Sequence, residues 1–376
     1  MIDVKEFVLG LESKGLRFYT GVPDSLLSGL CAYLAENVPP QCHFAAANEG
    51  NAVALAIGYY LATGMVPVVY MQNSGLGNSV NPLLSLADQK VYSIPMLLLV
   101  GWRGEPGVKD EPQHVKQGEV TLSLLKSMGV ESEVLDATSD FAAVLERAAQ
   151  NLRTRECPYA IVVCKGTFPN ADKWKSNAVE SGISREAVIA EIIECLALDD
   201  LVISNTGKAS RELFECRTRR GEGHTKDFLT VGGMGHTSQI ALAVAAWSPG
   251  RRVVCIDGDG GTLMHMGALA TSGALRPRNF KHFVLNNGCH ESVGGQPTAA
   301  PEIRLSKIAE ACGYPYAATV HPRTEADVAA GVREALNADG AAFVEFLVTV
   351  SSRSNLGRPT VSPYENSREF MKSARP

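Results

Sequence analysis

Two polar turns follow apolar, strand-like segments in the second half of the chain. An Asp-Gly-Asp-Gly-Gly-Thr turn at residues 257–262 follows the apolar run 253–256, and an Asn-Asn-Gly turn at 286–288 follows the run 282–285. Carboxylate and carboxamide oxygens are ligands that an octahedral Mg²⁺ accepts while it keeps phosphate oxygens. A glycine-rich turn that opens a helix offers backbone N–H groups to a phosphate. The two turns together predict a site for Mg²⁺ and a phosphate-bearing ligand.

A single carboxylate stands out in the first half of the chain. Glu49 precedes an alanine-rich segment, residues 52–59, whose composition predicts a buried helix. A carboxylate without a partner at such a helix would cost free energy. Glu49 is therefore a candidate for chemistry, although an ordinary glutamate at a helix start is the alternative interpretation.

Strand-like apolar runs alternate with helical periodicity along the whole chain, which is the pattern of parallel sheets covered by helices. The pattern repeats at an offset of 186 residues: the strand at 67–70 corresponds to 253–256, and the strand at 159–163 corresponds to 345–349. Chance agreement is the alternative, because side-chain identity between the halves is low. We predict an α/β fold with two similar, doubly wound, mostly parallel-sheet domains and no central third domain.

The joint between the two halves is expected where the pattern fails. A polar run without periodicity occupies residues 169–176. We therefore predict a first domain at 1–170, a linker at 171–183 and a second domain at 184–376. Ligands of such folds bind at the carboxyl ends of the strands, which is where the two polar turns are expected.

The composition is that of an ordinary globular protein. Of the 376 residues, 45% are apolar and 20% are charged, and the formal net charge is −5, which does not point to a nucleic-acid or membrane partner. The nine cysteines form no CxxC pair and are expected to be reduced. Neither a signal peptide nor an apolar run long enough for a bilayer is recognisable. We expect a cytoplasmic protein whose partners are small molecules or further copies of the chain.

The Gly-Asp-Gly turn and the Asn-Asn pair have a recognisable separation, because 25 residues lie between Gly260 and Asn286. This arrangement resembles the signature of the thiamine-diphosphate-dependent 2-oxo acid decarboxylases. The resemblance implies that thiamine diphosphate and Mg²⁺ are cofactors, with Asp259, the side chain of Asn287 and the backbone carbonyl of Cys289 as metal ligands. Cys289 departs from the alanine expected there, which leaves a carbonyl ligand unaffected.

The same resemblance assigns further residues to the cofactor. The first domain would bind the pyrimidine ring, and Glu49, in its Asn-Glu-Gly-Asn-Ala context, would hydrogen-bond the ring and activate the cofactor. The second domain would bind the diphosphate, and Met234 would be the apolar residue on which the cofactor bends. The expected contacts in the second domain are Thr206, Gly207, Lys208, Gly233, Met234, Asp259, Gly260, Gly261, Thr262 and Asn287.

Several loops resemble, within this family, enzymes whose 2-oxo acid carries a phosphonate or a sulfonate as a second anionic group. The loops are residues 20–27, 72–78, 101–107, 110–114 and 290–298. Such a substrate calls for cationic and N–H donors. A proton donor is expected among Asp24, His114 and His290. The substrate-binding candidates are Asp24, Arg103, Lys109, His114, His290, Gln296, Arg353 and Arg358.

The resemblance also implies an assembly, because in this family the two domains that build one site come from different subunits. We therefore expect a homodimer or a dimer of dimers. Phosphonate and sulfonate substrates stay open as alternatives at this point, as does a thiamine enzyme that transfers its intermediate to an aldehyde. A non-catalytic protein that binds thiamine diphosphate or a nucleotide is the alternative from another class, but it would not need Glu49.

Overall fold

The computed structural model describes residues 1–171 and 182–375. The chain divides into two compact units, Met1–Trp174 with His290–Gln296, and Lys175–Cys289 with Pro297–Pro376. Most of the predicted linker at 171–183 lies outside the described residues, so the linker stays a prediction. All nine cysteines are free thiols. Within the described ranges, no helix is both long and apolar enough to cross a membrane.

The first unit is a parallel sheet of six strands in the order β2-β1-β3-β4-β6-β5. The strands are β1 Tyr19–Gly21, β2 His43–Ala45, β3 Val68–Gln72, β4 Leu97–Gly101, β5 Glu131–Leu135 and β6 Tyr159–Val163. The helices are α1 Val4–Ser13, α2 Ser28–Asn37, α3 Glu49–Thr63, α4 Leu76–Pro82, α5 Pro112–Ser127 and α6 Phe141–Arg155.

The second unit is another six-stranded parallel sheet, in the order β11-β12-β10-β9-β7-β8. The strands are β7 Leu201–Ser204, β8 Asp227–Leu229, β9 Val253–Gly258, β10 Phe280–Asn286, β11 Tyr316–Val320 and β12 Ala342–Leu347. The helices are α7 Arg185–Cys195, α8 Lys208–Arg219, α9 Thr237–Trp247, α10 Asp259–Met264, α11 Ala268–Leu275, α12 Leu305–Ala311, α13 Glu325–Asn337 and α14 Pro363–Ala374.

Each sheet is buried on both faces. In β3, Val68 and Tyr70 face one apolar core, and Val69 and Met71 face another. The alternation follows from the strand geometry, which turns successive side chains to opposite faces. Strand β9 divides its side chains between two cores in the same way. Continuous apolar runs such as 253–256 are therefore strands with helices on both sides.

The two sheets have the same connectivity. Counted from the first strand of its own unit, each sheet has the order 2-1-3-4-6-5. The prediction of two similar doubly wound domains is thereby confirmed. The first two residues of the predicted loop at 20–27 belong to strand β1, because Thr20 and Gly21 pair with Val69 and Tyr70 of β3.

Candidate functional site

Asp259 is the first residue of helix α10 and follows β9 directly. Its side chain is 3% exposed and accepts a hydrogen bond of 2.5 Å from the hydroxyl of Thr298. Burial raises the pKa of Asp259 to about 6, against the opposing effect of this hydroxyl and of backbone amides that include that of Asn287. A buried carboxylate surrounded by uncharged donors is suited to a cation, because the cation would compensate the cost of burying the charge.

The two asparagines at the end of β10 have different surroundings. Asn286, the last residue of the strand, is 5% exposed and donates through Nδ2 to Glu345 Oε1 at 2.7 Å, while its Oδ1 accepts from the N–H of Gly288. The side chain of Asn286 is held by the protein. The Oδ1 of Asn287 accepts from the N–H of Cys289 at 3.1 Å. Asn287 therefore remains the candidate ligand, next to Asp259.

The predicted diphosphate turn opens helix α8. Gly207 has φ 90° and ψ −132°, a conformation that suits glycine, and it is the residue before the helix. The preceding Thr206 donates its N–H to the side chain of Asn205, which is buried. Lys208 donates through Nζ to the hydroxyl of Ser352 at 2.5 Å. Helix α8, which presents backbone N–H groups at its start, therefore begins at a turn that Asn205 holds in place.

The Asn205 side chain also packs under the Gly-Asp-Gly turn. A Cβ at Gly261 would lie 2.6 Å from Asn205 Nδ2 and 2.6 Å from Asp257 Oδ1. Only a glycine fits this position, and the hydroxyl of Thr262 donates back to the carbonyl of Gly258. Asn205, which holds the turn at 206–208, thus also packs against the turn at 258–262, while the diphosphate role of both turns stays a prediction.

The loop before α9 lies against the same turn. A Cβ at Gly235 would lie 3.2 Å from the carbonyl oxygen of Gly261 and 2.5 Å from the ring of His265. Gly233 and Gly235 both have positive φ, and the half-buried Met234 is held between them. The predicted apolar support is therefore placed beside the predicted diphosphate turn, although the role of Met234 stays a prediction.

In the first unit, Glu49 begins helix α3 and is 5% exposed. Its Oε2 accepts from Asn78 Nδ2 at 2.7 Å. A Cβ at Gly75 would lie 2.4 Å from Glu49 Oε1, so the carboxylate lies directly on this glycine. Asn48 caps the helix by accepting from the N–H of Asn51. The carboxylate is thus buried and fixed in position, as a group that holds a ligand must be.

Asp24 lies just beyond the carboxyl end of β1 and is completely buried. Its Oδ1 accepts from Gln72 Nε2 at 2.7 Å, and its Oδ2 accepts from the N–H of Leu26 at 3.0 Å. Burial raises the pKa of Asp24, although Gln72 and the charge of Arg103 oppose the shift. A Cβ at Gly101 would lie 2.1 Å from Asp24 Oδ2. Asp24 therefore combines a raised pKa with a site at the strand ends.

The loop after β4 holds the next two predicted residues. Arg103 forms a bidentate pair with Asp110, at 2.8 and 2.5 Å, and donates to the hydroxyl of Ser25. The neighbouring His114 has a lowered pKa, chiefly because of burial, and its Nδ1 is buried without a hydrogen-bond partner among the described residues. Lys109 is exposed. The structure brings Asp24, Arg103 and His114 to one end of the first sheet.

The segment His290–Gln296 contributes two more predicted residues. Burial lowers the pKa of His290 to about 4. Gln296 is 4% exposed, and neither its amide oxygen nor its amide nitrogen has a hydrogen-bond partner within the described ranges. A buried amide of this kind usually has a partner, which can be a bound ligand or water.

The predicted arginines near the C-terminus have other surroundings. Arg353 pairs with Glu186 at 2.7 Å and with Glu215, and Glu215 also accepts from the N–H of Gly357. These contacts anchor the segment on helices α7 and α8. Arg358 is exposed. The geometry therefore lends no support to a substrate role for Arg353, which stays a prediction, as does that of Arg358.

Sequence reasoning missed the residues that hold the candidates in place. Most of these contacts join distant parts of the chain, so local spacing does not reveal them. The loop at 72–78 carried part of the family resemblance, but the contacts that its residues make with the candidates were not predicted. The residues are Gln72, Gly75, Asn78, Asn205 and Glu345.

Comparison with known proteins shows the class of enzyme to which the two domains belong. Residues 4–127 match the N-terminal TPP binding domain of thiamine pyrophosphate enzymes, and residues 205–346 match the C-terminal TPP binding domain. Thiamine pyrophosphate is another name for thiamine diphosphate, so the predicted organic cofactor is confirmed at the level of the domains.

Relatives that match over nearly the whole chain narrow this class of enzyme to a family. The chain is 36% identical to phosphonopyruvate decarboxylase of Streptomyces viridochromogenes, over 98% of this chain and 94% of the relative. It is 34% identical to the protein of the same name from Streptomyces hygroscopicus, over 100% of this chain and 94% of the relative. Sulfopyruvate decarboxylase of Methanosarcina acetivorans is 26% identical, over 96% of this chain and 95% of the relative. The chain belongs to the phosphonopyruvate decarboxylase family of thiamine pyrophosphate enzymes.

The residues present fit the cofactor. Glu49 offers a buried carboxylate that Asn78 and the glycine at 75 hold in position. Asp259 offers a buried carboxylate whose recorded donors are uncharged. Backbone N–H groups at the starts of α8 and α10 are suited to a diphosphate.

Proposed function

We propose that this chain catalyses the thiamine-diphosphate-dependent decarboxylation of 3-phosphonopyruvate to phosphonoacetaldehyde and CO₂, a step of phosphonate biosynthesis. The observation that carries the proposal is the similarity over nearly the whole chain to enzymes named for this substrate. The site supports it through a buried carboxylate in each unit, Glu49 and Asp259. A protein that only binds the cofactor would have no use for the fixed carboxylate of Glu49.

In this proposal the two units hold different parts of the cofactor. Glu49 would bind the pyrimidine ring. Asp259, Asn287 and the carbonyl of Cys289 would hold Mg²⁺, and the turns at 206–208 and 260–262 would donate N–H groups to the diphosphate, with Gly233 and Met234 beside them. When bound, thiamine diphosphate supplies an electron sink for the bond that breaks as CO₂ leaves.

The substrate would be bound by the loops at the strand ends of the first unit. After the bond between C1 and C2 of the substrate breaks, C2 takes up a proton. An acid must therefore lie close to C2. Asp24 is the favoured donor, because burial raises its pKa, and His114 and His290 are the other candidates. Arg103 and Lys109 supply positive charge, and the unpartnered amide of Gln296 supplies hydrogen bonds.

We also propose that the functional unit is a homodimer or a dimer of dimers. Each unit has a helix with large apolar side chains facing outward. In α3, Leu61 is 71% exposed and Leu55 is 38% exposed, and in α9, Trp247 is 85% exposed and Ile240 is 38% exposed. Exposed apolar faces of this kind commonly mark protein interfaces.

The substrate is tested by measuring CO₂ release with thiamine diphosphate and Mg²⁺ from phosphonopyruvate, sulfopyruvate and pyruvate. We expect a kcat/KM for phosphonopyruvate at least about tenfold above that for the other two, because a charged or hydrogen-bonding site discriminates strongly against substrates that leave its groups unpaired. A preference for sulfopyruvate would replace the proposed substrate. Negligible rates with all three acids would defeat the proposed decarboxylation.

A further inference from the structure

Glu345 is a buried carboxylate in the middle of the second sheet. It lies on β12, is 2% exposed, and is paired in register with Thr319 of β11 and Val284 of β10. Its Oε2 accepts from the hydroxyl of Thr319 at 3.0 Å, and its Oε1 accepts from Asn286 Nδ2 at 2.7 Å. Both donors are uncharged. An apolar residue would fill this strand position without the cost of burying a charge, so the carboxylate calls for an explanation.

The contact with Asn286 connects Glu345 to the candidate metal site. With Nδ2 held by Glu345, Asn286 Oδ1 faces the N–H of Gly288 and accepts from it at 3.0 Å. Gly288 has φ 70°, which makes the chain turn sharply after Asn287. The backbone N–H of Asn287 in turn interacts with Asp259. The contact between Glu345 and Asn286 therefore fixes the backbone of Asn287. Asn287 is one candidate Mg²⁺ ligand, and its backbone N–H contacts the other, Asp259.

We propose that Glu345 is a positioning residue for the Mg²⁺–diphosphate site, acting through Asn286. This inference rests on the proposed function, since it assumes that Asp259 and Asn287 hold Mg²⁺. Residues behind the ligands of a metal commonly set its affinity, because they fix the direction in which the ligand atoms point. Glu345 would have this relation to Asn287, because its carboxylate binds the side chain of the neighbouring Asn286.

The test measures equilibrium binding of thiamine diphosphate as a function of Mg²⁺, by calorimetry and without substrate. Glu345→Met should weaken Mg²⁺-dependent binding about tenfold or more, because the Asn286 amide loses its acceptor. Glu345→Gln keeps an acceptor oxygen for Asn286 and should stay within about threefold of wild type. The control is Lys281→Met, which removes a buried polar side chain of the neighbouring strand β10 that donates to the carbonyls of Ala338 and Gly340. It should lower the melting temperature and leave the affinity unchanged.

The link through Asn286 is tested by a double-mutant cycle. Asn286→Leu should weaken binding about as much as Glu345→Met, and the double variant should be no weaker than either, because both changes break one contact. Wild-type affinity in Glu345→Met, or additive losses in the double variant, would overturn the inference and leave the proposed function standing. If Glu345→Met does not fold, wild-type affinity in Asn286→Leu would overturn it equally. Absence of Mg²⁺-dependent binding by the wild-type protein would overturn the proposed function, and this inference with it.

Discussion

At the scale of single residues, the carboxylate of Glu49 depends on a glycine far away in the sequence. The side chain occupies the space that a Cβ at Gly75 would need, and Asn78 donates to it. The sequence context of Glu49 was enough to predict a buried carboxylate. It was not enough to reveal Gly75 or Asn78, because these contacts arise only when α3 packs against the segment after β3.

Replacing Glu49 by glutamine tests the role of the carboxylate. Glu49→Gln keeps the shape of the side chain and an acceptor for Asn78, so we expect a melting temperature close to that of wild type. Turnover should fall by about a hundredfold or more, because the amide cannot exchange a proton with the cofactor. The measurements are kcat and thermal unfolding, with the exposed Glu36→Gln as control. Near-normal decarboxylation in Glu49→Gln would refute the role.

Replacing Gly75 by alanine tests the position of the same carboxylate. The new Cβ would lie 2.4 Å from Glu49 Cγ, so Glu49 must move. We expect kcat to fall by about tenfold or more, because catalysis is sensitive to small displacements of a catalytic group. Gly250→Ala is the matched control, since a Cβ there has no neighbour within 4 Å. Equal activity of the two variants would show that the displacement does not matter.

At the scale of elements, helix α5 and the loop after β4 are packed unusually closely. A Cβ at Gly118 would lie 1.7 Å from the carbonyl oxygen of Gly104, and Trp102 donates its indole N–H to the carbonyl of Gly118. This contact fixes the loop that carries Arg103 beside the helix that carries His114. The sequence predicted both residues as candidates. Their packing could not be predicted, nor could the pairing of Arg103 with Asp110, because each depends on the folded loop.

Gly118→Ala should push helix α5 and the loop after β4 apart. Because the obstructing atoms belong to the backbone, the helix or the loop must shift, at a cost of about 1–3 kcal/mol in the free energy of unfolding. We expect KM for the substrate to rise about tenfold, since the shift moves Arg103 and His114 away from their positions. Binding of thiamine diphosphate should change little. The measurements are steady-state kinetics and cofactor titration, with Glu119→Ala on the exposed side of the same helix as control. Weakened cofactor binding with an unchanged KM would contradict this assignment.

At the scale of the whole molecule, each of two similar sheets carries residues proposed to bind thiamine diphosphate. Their common strand order was foreshadowed by the 186-residue offset, because connectivity repeats even where side chains differ. The family resemblance singled out Asn287 as the expected metal ligand, but it did not reveal what holds Asn286. The contact of Asn286 with Glu345 could not be predicted, because Glu345 lies on another strand, far away in the sequence. The sequence thus predicted the scaffold and the ligand types better than it predicted which side chains the protein itself holds.

The proposed assembly is tested at its exposed helix. Leu61→Glu places a charge on the apolar outer face of α3, where Leu61 is 71% exposed. We expect it to reduce the mass measured in solution by light scattering to that of a smaller species, and activity should fall with it, because burying a charge at an interface is unfavourable. Leu198→Glu is the control, at a leucine that is 89% exposed and outside both helices. A wild-type monomer, or an unchanged mass in Leu61→Glu, would refute the proposed interface.

The repeated strand order has a consequence for the gene. Strand β6 ends at Val163 and helix α7 begins at Arg185, so the described strands of each sheet come from one continuous stretch of the chain. An insertion, a deletion or a stop and restart codon between the codons for residues 171 and 182 would cut none of the described strands. One reading frame could therefore become two, or two could become one, without altering the hydrogen bonding of those strands.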